Sequence, residues 1–152
     1  MTTAQAAGPT IRNAGSKAAQ PHKLFVNIPV SDLQRSIEFF EALGFTFNTQ
    51  FTDATATCMI VGEDAYFMLL TKDKFTEFSK RPVGDPQKET RALYAISVNS
   101  RAEVDAMVKT AVASGGRVAG EPQDHGFMFQ RSFYDIDGYH WEVFWMDPAV
   151  VN

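Results

Sequence analysis

The stretch Arg131–Met146, RSFYDIDGYHWEVFWM, constrains this chain more than any other. Two apolar-rich runs flank Asp137-Gly138. An Asp-Gly pair between alternating aromatic and β-branched segments is a strong hairpin signal, because glycine accepts the positive φ of a type I′ turn. Successive side chains of a strand point to opposite faces. Trp141, Val143 and Trp145 therefore share one face, and His140, Glu142, Phe144 and Met146 the other. The tryptophan face reads as the one packed on helices, which leaves Glu142 opposite it among Phe and Met. A carboxylate in such company costs free energy unless it is paired, protonated or bound to a metal.

The rest of the chain supplies a second copy of the same plan. KLFVNIPV alternates as a strand, with Phe25, Asn27 and Pro29 on one face. Ser31-Asp-Leu-Gln34 reads as a capping box, Leu33, Ile37 and Phe40 follow at helical spacing, and Gly44 stands where a helix ends. Strand candidates FTFNTQF (45–51), ATCMIV (56–61) and AYFMLLT (65–71) come next. After a polar, proline-containing connection, LYAISV (93–98) opens a second round. Ser100-Arg-Ala-Glu103 is another capping box, and Val104, Met107, Val108, Ala111 and Val112 form an apolar helix face ended by Gly115-Gly116. RVAGE (117–121), FMFQRSFYDI (127–136) and YHWEVFWM (139–146) complete it.

The order β-α-β-β-β thus occurs twice. It predicts an α+β domain of two βαβββ modules, with helices packed outside a curled, cup-like mixed sheet. The domain is expected over 23–148, with module one at about 23–71, a connection at about 72–91 and module two at about 92–148. Residues 1–22, rich in Ala, Thr, Gly and Pro, read as a mobile arm. They lack the apolar core of a secretory signal.

Composition narrows the partners. No run approaches the 18 apolar residues of a membrane span. The net charge is −4, and beyond Lys23 the chain holds 11 basic against 18 acidic residues. So acidic a fold argues against nucleic acid and anionic membranes as partners. The single cysteine, Cys58, excludes an internal disulfide and suits a reducing, cytoplasmic setting. Its strand-like surroundings read as core.

NIPVSDLQRSIEFFEALGF and RSFYDIDGYHWEVFWMDP resemble the glyoxalase/bleomycin-resistance/extradiol-dioxygenase (vicinal oxygen chelate) superfamily. ALGF, QDHGFM and WMDP are similar to the bacterial predicted lactoylglutathione lyase group. The resemblance covers about residues 23–148 and implies a cup that, in metal-dependent relatives, holds a divalent metal. Its ligand positions fall on Phe25, Met68, Leu93 and Glu142. Only the last carries a metal-binding side chain, and a lone carboxylate does not make a tight divalent site. A rebuilt centre would need His125 and His140 to join Glu142. The resemblance also implies a homodimer paired through sheet edges.

Strand parity gives a cup lining of Phe25, Asn27, Tyr66, Met68, Leu93, Ala95, Ser97, His140, Glu142 and Phe144, largely apolar with a few polar groups, as small-molecule pockets are. Arg131 is a candidate partner for Glu142 across the hairpin. Two readings stay open. The chain is a glyoxalase-like protein holding a small carbonyl or hydrophobic compound, with catalysis undetermined. Alternatively, it is a lactoylglutathione-lyase-type lyase or isomerase, in which Glu142 acts as base or ligand and Asn27 and Tyr66 donate to the enediolate.

Overall fold

The computed structural model describes residues 6–150. The first five residues of the expected arm lie outside the described residues, and residues 6–22 are exposed and carry no helix or strand. The first module runs β1 (Leu24–Val30), α1 (Leu33–Ala42), β2 (Thr46–Asn48), β3 (Ala56–Gly62), β4 (Ala65–Thr71) and a short helix α2 (Lys72–Phe78). The second runs β5 (Leu93–Ser97), α3 (Arg101–Ala113), β6 (Arg117–Val118), β7 (Gln123–Asp124), β8 (Met128–Tyr134) and β9 (His140–Met146). The α+β class and the paired βαβββ modules follow the sequence pattern. Each module forms its own curled mixed sheet, ordered β1-β4-β3-β2 in the first and β5-β9-β8-β6 in the second, with β7 also on β8.

The repeat extends to register. β1 pairs in parallel with β4, setting Phe25 beside Tyr66 and Asn27 beside Met68. β5 pairs in parallel with β9, setting Leu93 beside His140 and Ala95 beside Glu142. Phe25 and Leu93, and likewise Met68 and Glu142, are therefore structural equivalents.

One core serves both modules. Ile28, Phe67 and Leu69 of the first sheet meet Phe133, Trp141 and Val143 of the second, with Phe39 and Phe40 of α1 and Val104 and Val108 of α3. The rings of Phe67 and Trp141 stand 4.8 Å apart. In one continuous sheet joined through β1 and β5, β4 and β9 would lie three strand spacings apart, about 14 Å. The sheets instead meet through their closed faces, so the opposite, open faces point away from each other.

Local structure departs from the sequence reading at three places. Asp32, not Ser31, caps α1, its Oδ1 accepting from the Arg35 N–H at 3.1 Å. Ser31 is recruited by the other module: its N–H and hydroxyl both donate to Asp137 Oδ1, at 3.0 and 2.7 Å. The β8–β9 connection is not a two-residue type I′ turn. Asp135 pairs with Tyr139, leaving Ile136, Asp137 and Gly138 as a three-residue loop in which only Gly138 has positive φ. FTFNTQF and RVAGE form only short strands, the former passing into a 3-10 turn at Thr49–Phe51. The second capping box holds, with Ser100 Oγ accepting from the Glu103 N–H and Glu103 reaching back to Asn99.

Candidate functional site

Alternation along the strands sorts the nominated residues onto the two open faces. The first sheet presents Phe25, Asn27, Tyr66 and Met68. Phe25 and Tyr66 stack with ring centroids 4.7 Å apart, and Phe25 is 49% exposed. The Tyr66 hydroxyl donates to the Glu63 carbonyl at 2.9 Å, so it is already engaged. Asn27 reaches the Phe25 carbonyl at 3.3 Å. The second sheet presents Leu93, Ala95 and Ser97 on β5 beside His140, Glu142 and Phe144 on β9. The ten residues of the expected lining therefore form two half-faces within one chain rather than one enclosed cup.

Glu142 is the chemical centre of the second face. Its Oε2 accepts from Gln130 Nε2 at 3.0 Å, while Oε1 stands 3.7 Å from His140 Nε2. That Nε2 is buried and has no hydrogen-bond partner, and 3.7 Å is beyond hydrogen-bond length. The imidazole and carboxylate are both four-fifths buried, and the Tyr134 ring lies edge-on to His140 at 5.3 Å. A small movement would close the pair, which makes it a candidate for holding or moving a proton.

Two nominated residues lie elsewhere. Arg131 pairs with Val143 in the ladder, on the closed face, and its guanidinium bonds Asp105 of α3 at 3.0 Å. It does not meet Glu142. Gln130, which sequence reasoning did not single out, takes that place. His125 is exposed on the loop between β7 and β8, its N–H donating to the Met128 carbonyl at 2.8 Å. The Arg101 guanidinium clamps that loop, bonding both Asp124 oxygens and the Gly126 carbonyl. The Arg101 guanidinium, with the Gly126 N–H that also donates to Asp124 Oδ1, holds the exposed Asp124 carboxyl down to about 2.

The residues present do not fit a divalent metal. Three of the four implied positions hold Phe25, Met68 and Leu93, and the remaining carboxylate already takes an amide N–H from Gln130. Among the described residues, no three His, Cys, Asp or Glu side chains converge. The set of His125, His140 and Glu142 is not assembled.

A cleft of about 480 Å³ lies at the junction of the modules, with Asn27 of the first open face and His140 of the second on its border. The connection from Ser79 to Ala92 roofs it, over Pro29, Tyr94 and Tyr139. Tyr139 fixes the junction by donating to the Pro29 carbonyl at 2.6 Å. The adjoining loop is pinned by two buried carboxylates. Asp135 accepts from Trp141 Nε1 and from the Asp137 and Tyr139 N–H groups, and Asp137 accepts from Ser31 and Ser36 of the other module.

This architecture is that of a known group. The sequence profile of the Glyoxalase/Bleomycin resistance protein/Dioxygenase superfamily matches residues 23–143. The chain belongs to that superfamily. Comparison with curated proteins gives no match. Among solved structures, hypothetical protein SA1046 from S. aureus is 25% identical, with a TM-score of 0.71 over 83% of this chain and 94% of that one. The antibiotic binding protein TnmS3 from Streptomyces sp. CB03234 is 21% identical, with a TM-score of 0.59 over 86% and 99%. The fosfomycin resistance protein FosX from Listeria monocytogenes is 16% identical, with a TM-score of 0.58 over 85% and 93%. The last two share the superfamily fold; their ligands are their own.

Proposed function

We propose that this superfamily member holds a small hydrophobic or carbonyl-bearing compound against its open sheet faces, without a resident metal. One observation carries the reading. The face built around Glu142 offers an acid, an imidazole and an amide among apolar side chains, and three of the four metal-ligand positions are Phe25, Met68 and Leu93. Such a surface recognises a molecule by shape and a few hydrogen bonds. The names of TnmS3 and FosX attach small-molecule roles to the same fold, in keeping with binding. A lactoylglutathione-lyase-type proton transfer is the second reading, favoured by the 3.7 Å approach of His140 to Glu142.

The partner of this fold is proposed to be a second copy. β1 and β5 are edge strands with one unpaired side each, and Leu24, Phe25 and Leu93 on them are between 49% and 61% exposed. Exposed apolar edge strands are templates for pairing. Joining β1 of one copy to β5 of another would bring a Phe25 face and a Glu142 face into one cup.

The test is the metal content of untagged protein, then thermal-shift titration with nickel, zinc and iron(II), alongside a panel of small aromatic and carbonyl compounds. The expected result is no stoichiometric metal, no shift with the three ions, and stabilisation by members of the panel that weakens in Phe25→Ala and Glu142→Ala. A stoichiometric metal lost in Glu142→Ala would overturn the binding reading in favour of the lyase.

A further inference from the structure

The cleft beneath the connection has chemistry that the open faces lack. Its roof carries Arg81 and Arg91, both exposed, and among the described residues neither forms an ion pair. Two acids also border it, but Asp85 is committed to its own turn, its Oδ1 accepting from the Gln87 N–H at 2.9 Å. Asp85 and Glu89 balance the two arginines in charge, but among the described residues neither acid pairs with them, so both guanidiniums keep their donors free for a ligand. The walls are aromatic and proline-rich, with Tyr94 and Tyr139 on the floor and Phe75 at the side. A volume of about 480 Å³ suits a molecule of one or two fused rings, since small-molecule sites span roughly 300–1,000 Å³.

We propose that this inter-module cleft is a binding site for an aromatic carboxylate, its ring against Tyr94 and Tyr139 and its carboxylate at Arg81 and Arg91. A guanidinium presents a planar fork of donors that matches a carboxylate, and flat rings stack on aromatic walls. The site differs from the one around Glu142, although His140 borders both. It draws its guanidinium donors from the connection between modules, which carries no strand.

Isothermal titration of the full chain with 2-naphthoate tests this, with inorganic phosphate as competitor. Naphthoate is expected to bind with one site per chain, to be insensitive to Glu142→Gln, and to weaken by about tenfold or more in the Arg81→Ala/Arg91→Ala double variant. Both arginines are exposed, so a melting curve unchanged in that variant establishes that it folds. Should Arg81→Lys/Arg91→Lys restore binding only in part, the forked geometry is upheld. Absence of naphthoate binding, equal affinity in the double alanine variant, or displacement by phosphate at equal concentration would each overturn the proposal. Loss of binding in Glu142→Gln with retention in the double variant would overturn it in favour of the sheet face, so the two sites fail separately.

Discussion

At the scale of single residues, Asp135 has the most demanding environment in the chain. It is buried at the foot of the β8–β9 loop, where its two oxygens take three N–H donors. Burial nevertheless holds its carboxyl up at about 6, above the ordinary 3.8, with the nearby Asp137 charge adding to the rise. Between those values the folded chain keeps a proton that the unfolded chain has released. The stability contributed by this group is therefore fully present below about 4 and is lost as pH rises towards 6. Asp135→Asn removes that titration and offers only one carbonyl oxygen, so either Trp141 Nε1 or the backbone N–H pair loses its acceptor, at a cost of about 1–3 kcal/mol. In urea denaturation, the stability gap between wild type and Asp135→Asn is expected to be wider at pH 4.5 than at pH 7.5. A gap independent of pH would refute the assignment.

At the scale of elements, the β8–β9 hairpin decides which residues meet at the site. A two-residue turn at Asp137-Gly138 would pair Ile136 with Tyr139 and Arg131 with Phe144, placing Arg131 on the face of Glu142. The three-residue loop pairs Tyr134 with His140 instead, so Arg131 stands opposite Val143 and Ser132 opposite Glu142. A one-residue slip exchanges the faces of a strand. It sends Arg131 to Asp105 and brings Gln130 to Glu142. The Asp-Gly signal located the turn but did not count its residues, because Asp135 and Tyr139 close the loop through bonds to a buried carboxylate. Gly138 is fixed by both conformation and space, with φ of 98° and a Cβ position only 2.9 Å from the Pro86 carbonyl oxygen. Gly138→Ala is expected to cost at least about 2 kcal/mol in chemical denaturation. Pro86 belongs to the roof of the cleft, so the same variant should also weaken naphthoate binding; unchanged stability would show that the loop relaxes freely.

At the scale of the whole molecule, back-to-back packing of the sheets leaves two open faces, with β1 and β5 each at the edge of its sheet. The expected assembly is a dimer in which these edges pair, and sedimentation velocity is the direct measurement. Leu93→Glu puts a charge on the exposed edge of β5 without touching the core, and is expected to yield a folded monomer with weaker ligand-induced stabilisation. A wild-type monomer that still binds its ligand would show that one face suffices. The inter-module latch of Asp137 with Ser31 and Ser36, together with Tyr139 on Pro29, holds the two halves in the orientation on which this expectation rests.

The amino-acid sequence by itself determined the repeated β-α-β-β-β order and the faces of β1, β5 and β9, with Glu142 on the face opposite Trp141 and Val143. Periodicity and alternation are local properties, written in consecutive residues and enforced by burial of one face. The tertiary structure alone decided that Ser31 serves the other module rather than its own helix, that Gln130 and not Arg131 reaches Glu142, and that His125 stays apart from His140. It alone decided, too, that the two open faces turn away from each other. Each of these depends on how distant segments pack, through a one-residue register, a buried carboxylate shared between modules and a ring contact between β4 and β9, and none of them leaves a period in the sequence.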